Sequence, residues 1–269
     1  MSTHPPVPEV IPVTAPFDSV RTAAPVAAFA RPRTAPHRSP LDVVRPNSWA
    51  HRGLLALGVV GAVAFNLTYV VDGAVRPGYD PLRQPMSALA LGPGGVVQTL
   101  NFVAFGLLGC LTAPAWRASL APGTGATWYP RLKVLAGLAM IAAAGFPQDP
   151  AGYPLGVAAP AHPTAHAQIH QGVSVVSLTL TVAELALLAR RLRHEPGWRG
   201  WSVACLLAAA GMMGLLGVFG ALMATGGDGG LFEKLASATP TLLGLAVVTR
   251  LLARGDARLS AARLSAARP

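Results

Sequence analysis

His166 and His170 stand four residues apart in His162-Pro-Thr-Ala-His-Ala-Gln-Ile-His170, a spacing that puts two imidazoles on one helix face and can bring both to one metal ion. His162 stands four residues earlier still. Pro163 favours a first helical turn and holds His162 extended, and on a straight helix its Cα would lie ~12 Å from that of His170, so only a fold-back of the loop brings it in. Asp149, in Phe146-Pro-Gln-Asp-Pro150, offers a carboxylate ligand, while Asp80 and Ser87, in a second loop, offer a base and a hydroxyl. The expected metal set is therefore His166, His170 and Asp149 with His162, and the expected reacting groups are Asp80 and Ser87. Zinc held this way, with one position left for water, would lower the pKa of that water toward ~7 and make a nucleophile. Without a metal, the same loops would fold onto each other as a polar cap, with Arg76 or Arg83 pairing Asp80 or Asp149.

These residues flank apolar runs. The runs Gly53–Val71, Val96–Pro114, Leu132–Phe146, Ile169–Ala189, Trp201–Ala224 and Leu235–Leu252 are mostly near the ~20 residues an α-helix needs to cross a bilayer core. The third is short, stopped by Pro147, with Lys133 able to snorkel at its other end, so it is a thin-spot span or begins nearer Trp128. Arg and Lys gather before the first run, between the second and third, between the fourth and fifth, and after the sixth, whereas the other loops hold only Arg76, Arg83 and Lys234. The positive-inside rule then puts both termini in the cytoplasm and the His, Asp and Ser candidates outside. The expected fold is all-α, a six-helix transmembrane bundle over 49–253 in the plasma membrane. Trp49, Trp116, Trp128, Tyr129, Trp198 and Trp201 fall near span ends, as interfacial aromatics do.

Composition narrows the function classes. Of 269 residues 52% are hydrophobic and 12% charged, so one helical bundle uses nearly all the apolar sequence. The net charge of +10 lies in the tails and the loops assigned to the cytoplasm, where it faces anionic lipid; the bilayer is the expected partner, and nucleic acid is not. Cys110 and Cys205 lie within apolar runs and read as small buried hydrophobes. Residues 1–48 are rich in Pro and Ala without periodicity and read as a disordered cytoplasmic tail. Residues 254–269 repeat Arg-Leu-Ser-Ala-Ala and read as a basic tail, either solvated or helical on the inner leaflet.

Within the spans, Gly211, Gly214, Gly217 and Gly220 leave a shallow groove suited to close helix packing. Pro240 should kink the last span, with Ser237, Thr239 and Thr241 able to satisfy freed backbone groups. Asn66, Gln98 and Asn101 are polar groups at the outer ends of the first two spans. Glu184, deep in the fourth, is either a site residue or snorkels toward Arg190 and Arg191.

The stretch Arg76-Pro-Gly-Tyr-Asp-Pro-Leu-Arg-Gln-Pro-Met-Ser-Ala-Leu-Ala-Leu-Gly-Pro-Gly-Gly95 with Gln98, Asn101-Phe102 and Gly106, followed by Phe146-Pro-Gln-Asp-Pro150, His166 and His170, resembles the family called Domain of Unknown Function 998. The resemblance covers roughly Gly53 to Leu252 and implies a bacterial membrane protein of about six helices, with no activity attached. The order Ser87, Asp149, then a His pair is also similar in residue types to the membrane hydrolase superfamily of alkaline ceramidases and adiponectin receptors. There the resemblance implies a zinc ion among seven helices, and the paired His opens the final helix, not the fourth. Three functions remain open: a binding or structural role, a zinc-dependent hydrolase of a lipid amide or ester, and a carrier of small solutes, for which Glu184 would matter most.

Overall fold

The computed structural model describes residues 48–150 and 152–266, with side chains described as far as 255. Six long helices follow in order: α1 Trp49–Val75, α2 Val96–Leu120, α3 Thr124–Gly145, α4 Ala165–Leu192, α5 Arg199–Ala224 and α6 Gly230–Ala266, with a short 3-10 turn at Met86–Ala90 between α1 and α2. Each helix packs on the next, and α6 returns to α1, so the helices close a ring. Five of them, α1, α2, α4, α5 and α6 over Gly230–Gly255, are long and apolar enough to cross a membrane, with mean hydropathy of 1.5 to 2.1. The chain is a multi-pass membrane protein. Its outward faces carry large apolar side chains such as Val60, Leu67, Leu107 and Leu207, as a surface against lipid must.

Helix α3 is the exception among the six, with 22 residues and Arg131 and Lys133 inside it. It starts at Thr124, well before the short apolar run that marks it in the sequence. Helix α2 likewise runs six residues beyond Pro114, and α6 continues without a break past Leu252, so the residues read as a basic tail prolong the last span as helix to Ala266. Except for Ser48, which caps α1 by accepting from the His51 N–H at 3.1 Å, the tail expected over 1–48 lies outside the described residues.

Close helix packing uses other glycines than the sequence advertises. A Cβ on Gly106 would collide with the Gly137 carbonyl, and one on Gly137 with the Gly106 carbonyl, so α2 and α3 touch backbone to backbone there. Nothing lies within 4 Å of a Cβ built on Gly211, Gly214, Gly217 or Gly220, so the α5 groove takes no helix of its own bundle. The aromatic belt is also only partial: Trp49 is 88% exposed, but Trp116, Tyr129 and Trp198 are buried. Trp116 packs on Tyr129 at 4.9 Å between ring centroids, and Arg250 and Arg254 lie over Trp198. With Leu55, Leu188 and Val247 these aromatics form an apolar plug at the end of the ring that bears the chain termini, here the tail end.

The opposite, cap end is closed by residues 76–95. Phe65, Tyr69, Tyr79, Met86, Leu89, Phe102 and Tyr153 form its apolar cluster. Arg76 ties the loop down by pairing with Asp72 at 2.7 Å and donating to the Pro93 and Gly94 carbonyls. The Tyr79 hydroxyl donates to the carbonyls of Gln84 and Pro85, both at 3.1 Å, and burial raises its pKa above the usual phenol range, so it remains a donor at ordinary pH. Gly230 lets α6 start against this loop: its N–H donates to the Arg83 carbonyl at 3.0 Å, and a Cβ would strike the Gln84 backbone.

Candidate functional site

The ring holds a partly open cavity of about 250 Å³, lined by residues from all six helices and by Met86 and Ser87 of the 3-10 turn. Its wall is mostly apolar and aromatic, including Phe65, Phe102, Phe105 and Phe219. Helix α4 supplies a polar exception. His170, Ser174, Ser177, Thr181 and Glu184 follow one another at intervals of four, three, four and three, which keeps them on one helix face, and all five line the cavity. The seam is about 21 Å long at 1.5 Å per residue. It leads from the cap end to a charge pair in the tail-end half.

That pair joins Glu184 to Lys133 of α3, with Nζ to Oε2 at 3.1 Å and the Tyr129 phenol beside the carboxylate. Glu184 is 5% exposed. It therefore turns inward and does not snorkel toward Arg190 or Arg191, and Lys133 turns inward with it, away from the interface where the sequence puts it. Two charges removed from water are tolerated because each is the other's counter-ion.

At the cap end, Ser87 is buried and donates to Gln148 Oε1 at 2.5 Å. Glu233, in the first turn of α6, accepts the Met86 N–H at 2.6 Å through Oε2. The Nδ1 of His170 lies 3.1 Å from the Ala143 carbonyl and 2.8 Å from that of Phe146. Both partners can only accept, so Nδ1 carries the proton and Nε2 is the nitrogen with a lone pair in the neutral ring. Ser87, Gln148, His170 and Glu233 all line the cavity.

A family model described as Protein of unknown function (DUF998) matches residues 59–251. The chain belongs to the DUF998 family. No curated protein and no solved structure matches it. The stretch matched in this DUF998 protein contains most of the ring, the cap and every residue named above as lining the cavity.

The expected metal set does not assemble in it. Among the described residues no three His, Cys, Asp or Glu side chains come together as a metal site. Asp149 instead accepts from the Thr164 N–H at 2.8 Å through Oδ2 and from the Thr164 hydroxyl at 2.7 Å through Oδ1, fixing the residue that caps α4. His170 is buried with Nδ1 committed to carbonyls, whereas His166 is exposed beside the Phe146 ring at 5.5 Å and His162 is exposed in the loop. The four-residue spacing places the two imidazoles on one helix, but α4 starts at Ala165, so one ring turns into the bundle and the other stays at its rim.

The expected reacting groups are also separated. Asp80 Oδ1 accepts the Leu82 N–H at 2.9 Å, the geometry of an Asx turn, and Asp80 does not line the cavity that Ser87 faces. The expected loop pairings are replaced as well: Arg76 takes Asp72, and Arg83 takes Asp228 at 2.8 Å on the surface. Of the sequence candidates, Ser87, His170 and Glu184 reach the cavity. The residues sequence reasoning missed are Gln148, Glu233, Ser174, Ser177 and Thr181. The alternating spacing of polar residues along α4 was a readable signal for three of them; Glu233 had none, because its partner is a backbone N–H of a distant loop.

Proposed function

We propose that this DUF998 protein binds a small amphipathic molecule inside the bundle, as a receptor or carrier, with all six helices inserted, both termini cytoplasmic and the cap outward. The observation that carries the reading is the polar seam of α4. It runs along the contact with α3, to which His170, Ser177 and Glu184 bond, borders a largely apolar cavity with all five residues, and ends on the buried pair of Lys133 and Glu184. Ligand sites combine this sort of apolar wall with a few placed polar groups. Intramembrane ionisable residues that face a cavity are the usual sites of recognition.

The alternation of Arg and Lys supports the topology, and the plasma membrane is the membrane we propose for it. A zinc-dependent hydrolase is less well supported, since it needs donors that share a point with room for water, and both carboxylate oxygens of Asp149 are taken by Thr164.

Native mass spectrometry tests the binding reading. Protein extracted in a mild detergent should carry a non-protein mass at one per chain. Ser174→Trp, which fills the cavity from a position whose hydroxyl bonds to no other described residue, should lose that mass while remaining folded. Retention of the mass by the variant would place the ligand elsewhere.

A further inference from the structure

The cavity wall presents a series of hydrogen-bond acceptors. The Thr112 hydroxyl donates to the Leu108 carbonyl at 2.8 Å, Ser177 to the Ala136 carbonyl at 3.1 Å, and Thr181 to the Ser177 carbonyl at 3.0 Å. Each hydroxyl has one proton, so what these three present to the cavity is lone pairs. The Nε2 of His170 is an acceptor by the tautomer its carbonyl partners impose. The spare donors are the remaining protons of Lys133, the Ser174 hydroxyl and the amides of Gln148 and Gln171.

Charge leans the same way. Glu184 and Lys133 neutralise each other. Glu233 lines the cavity with Oε2 on the Met86 N–H and no ion-pair partner among the described residues. Lys234, its neighbour in sequence, acts on Glu233 electrostatically without touching it: its ammonium donates to the carbonyls of Gln84 at 2.8 Å and Gly230 at 3.2 Å, lies over the Tyr79 ring and does not line the cavity. An acceptor-rich, aromatic-walled chamber with one carboxylate lacking an ion-pair partner fits a cation that carries hydrogen-bond donors.

We propose that the ligand is a lipophilic organic cation, a primary or secondary ammonium with an apolar body, whose charged group sits on Glu233 at the cap end while the body fills the aromatic chamber. This rests on the cavity-binding reading above and adds its chemical class. The ammonium would supply a counter-ion in direct contact, which Lys234 does not, and offset the cost of holding the Glu233 carboxylate out of water.

The test is equilibrium binding of radiolabelled octylammonium, octanol and octanoate to the full chain in nanodiscs of zwitterionic lipid, with bilayer partition subtracted on empty nanodiscs. Wild type should bind octylammonium at least ten-fold tighter than octanol, and octanoate weakest, all blocked by Ser174→Trp. Glu233→Gln keeps an acceptor for the Met86 N–H; it should lose the ten-fold preference of octylammonium over octanol, with an unchanged melting temperature in the same nanodiscs reporting the fold. Equal Ser174→Trp-sensitive binding of all three probes would overturn the cation class and leave the cavity reading standing. Preference for octanoate would overturn it in favour of Lys133 as the anchor, and a preference that survives Glu233→Gln would overturn the seat on Glu233. No probe binding that Ser174→Trp blocks would overturn the cavity reading itself.

Discussion

Removing the Lys133 ammonium should cost more stability than removing both members of its pair. In Lys133→Met the Glu184 carboxylate, 5% exposed, keeps only the Tyr129 phenol beside it and has no cation. Breaking a buried pair from one side costs about 3–5 kcal/mol, and the Lys133 side chain, 23% exposed, argues for the lower end. At about 2–4 °C per kcal/mol for a domain of this size, the melting temperature should fall by roughly 6–12 °C. Lys133→Met/Glu184→Leu removes both charges and fills the space with apolar atoms, a change that is often neutral or stabilising. Thermal unfolding in one detergent, followed by intrinsic fluorescence and by aggregation, compares the three proteins directly. The reasoning is refuted if Lys133→Met melts with wild type, or if the double variant is no more stable than the single one.

Glu233→Leu leaves the Met86 N–H without its acceptor, a loss of about 1–3 kcal/mol, so residues 76–95 should exchange amide hydrogens faster while α2 and α3 do not change. Gly230→Ala should loosen the same segment, because a Cβ there meets the Gln84 backbone; unchanged exchange would mean that α6 does not hold the cap. Asp149→Ala should weaken the start of α4 by about 1 kcal/mol and leave bound zinc, if any, at the wild-type level, whereas a metal site would lose it. In a Cys110→Ala/Cys205→Ala background, a cysteine at exposed Ala158 should react with an impermeant thiol reagent in intact cells and one at exposed His194 should not; the reverse pattern inverts the topology.

The membrane class, the number of helices and most helix positions were readable because apolar length and charge alternation are properties of local sequence. Helix ends were less so. The second run ended at Pro114, which α2 passes through, and α3 starts at Thr124, ahead of its apolar run and through Pro130, since a membrane helix can absorb a proline when its neighbours satisfy the backbone. The small-residue groove of α5 had the right pattern but no partner, while single glycines at 106 and 137 bring α2 and α3 together backbone to backbone, a distinction that depends on which helices meet. The site was half readable for the same reason. Glu184 stood out by depth and charge, but its partner Lys133 lies 51 residues away on α3, and Asp149 looked like a ligand until Thr164 was seen to occupy it. Residue types announce chemistry, but only the third dimension tells which groups are already engaged.

The measurement that bears most directly on the central claim is native mass spectrometry of wild type beside Ser174→Trp, released from nanodiscs made with the host membrane's lipids. A cavity that serves as a ligand chamber predicts one extra mass per wild-type chain, absent from the variant and displaced by octylammonium. Identical spectra for the two proteins would contradict it.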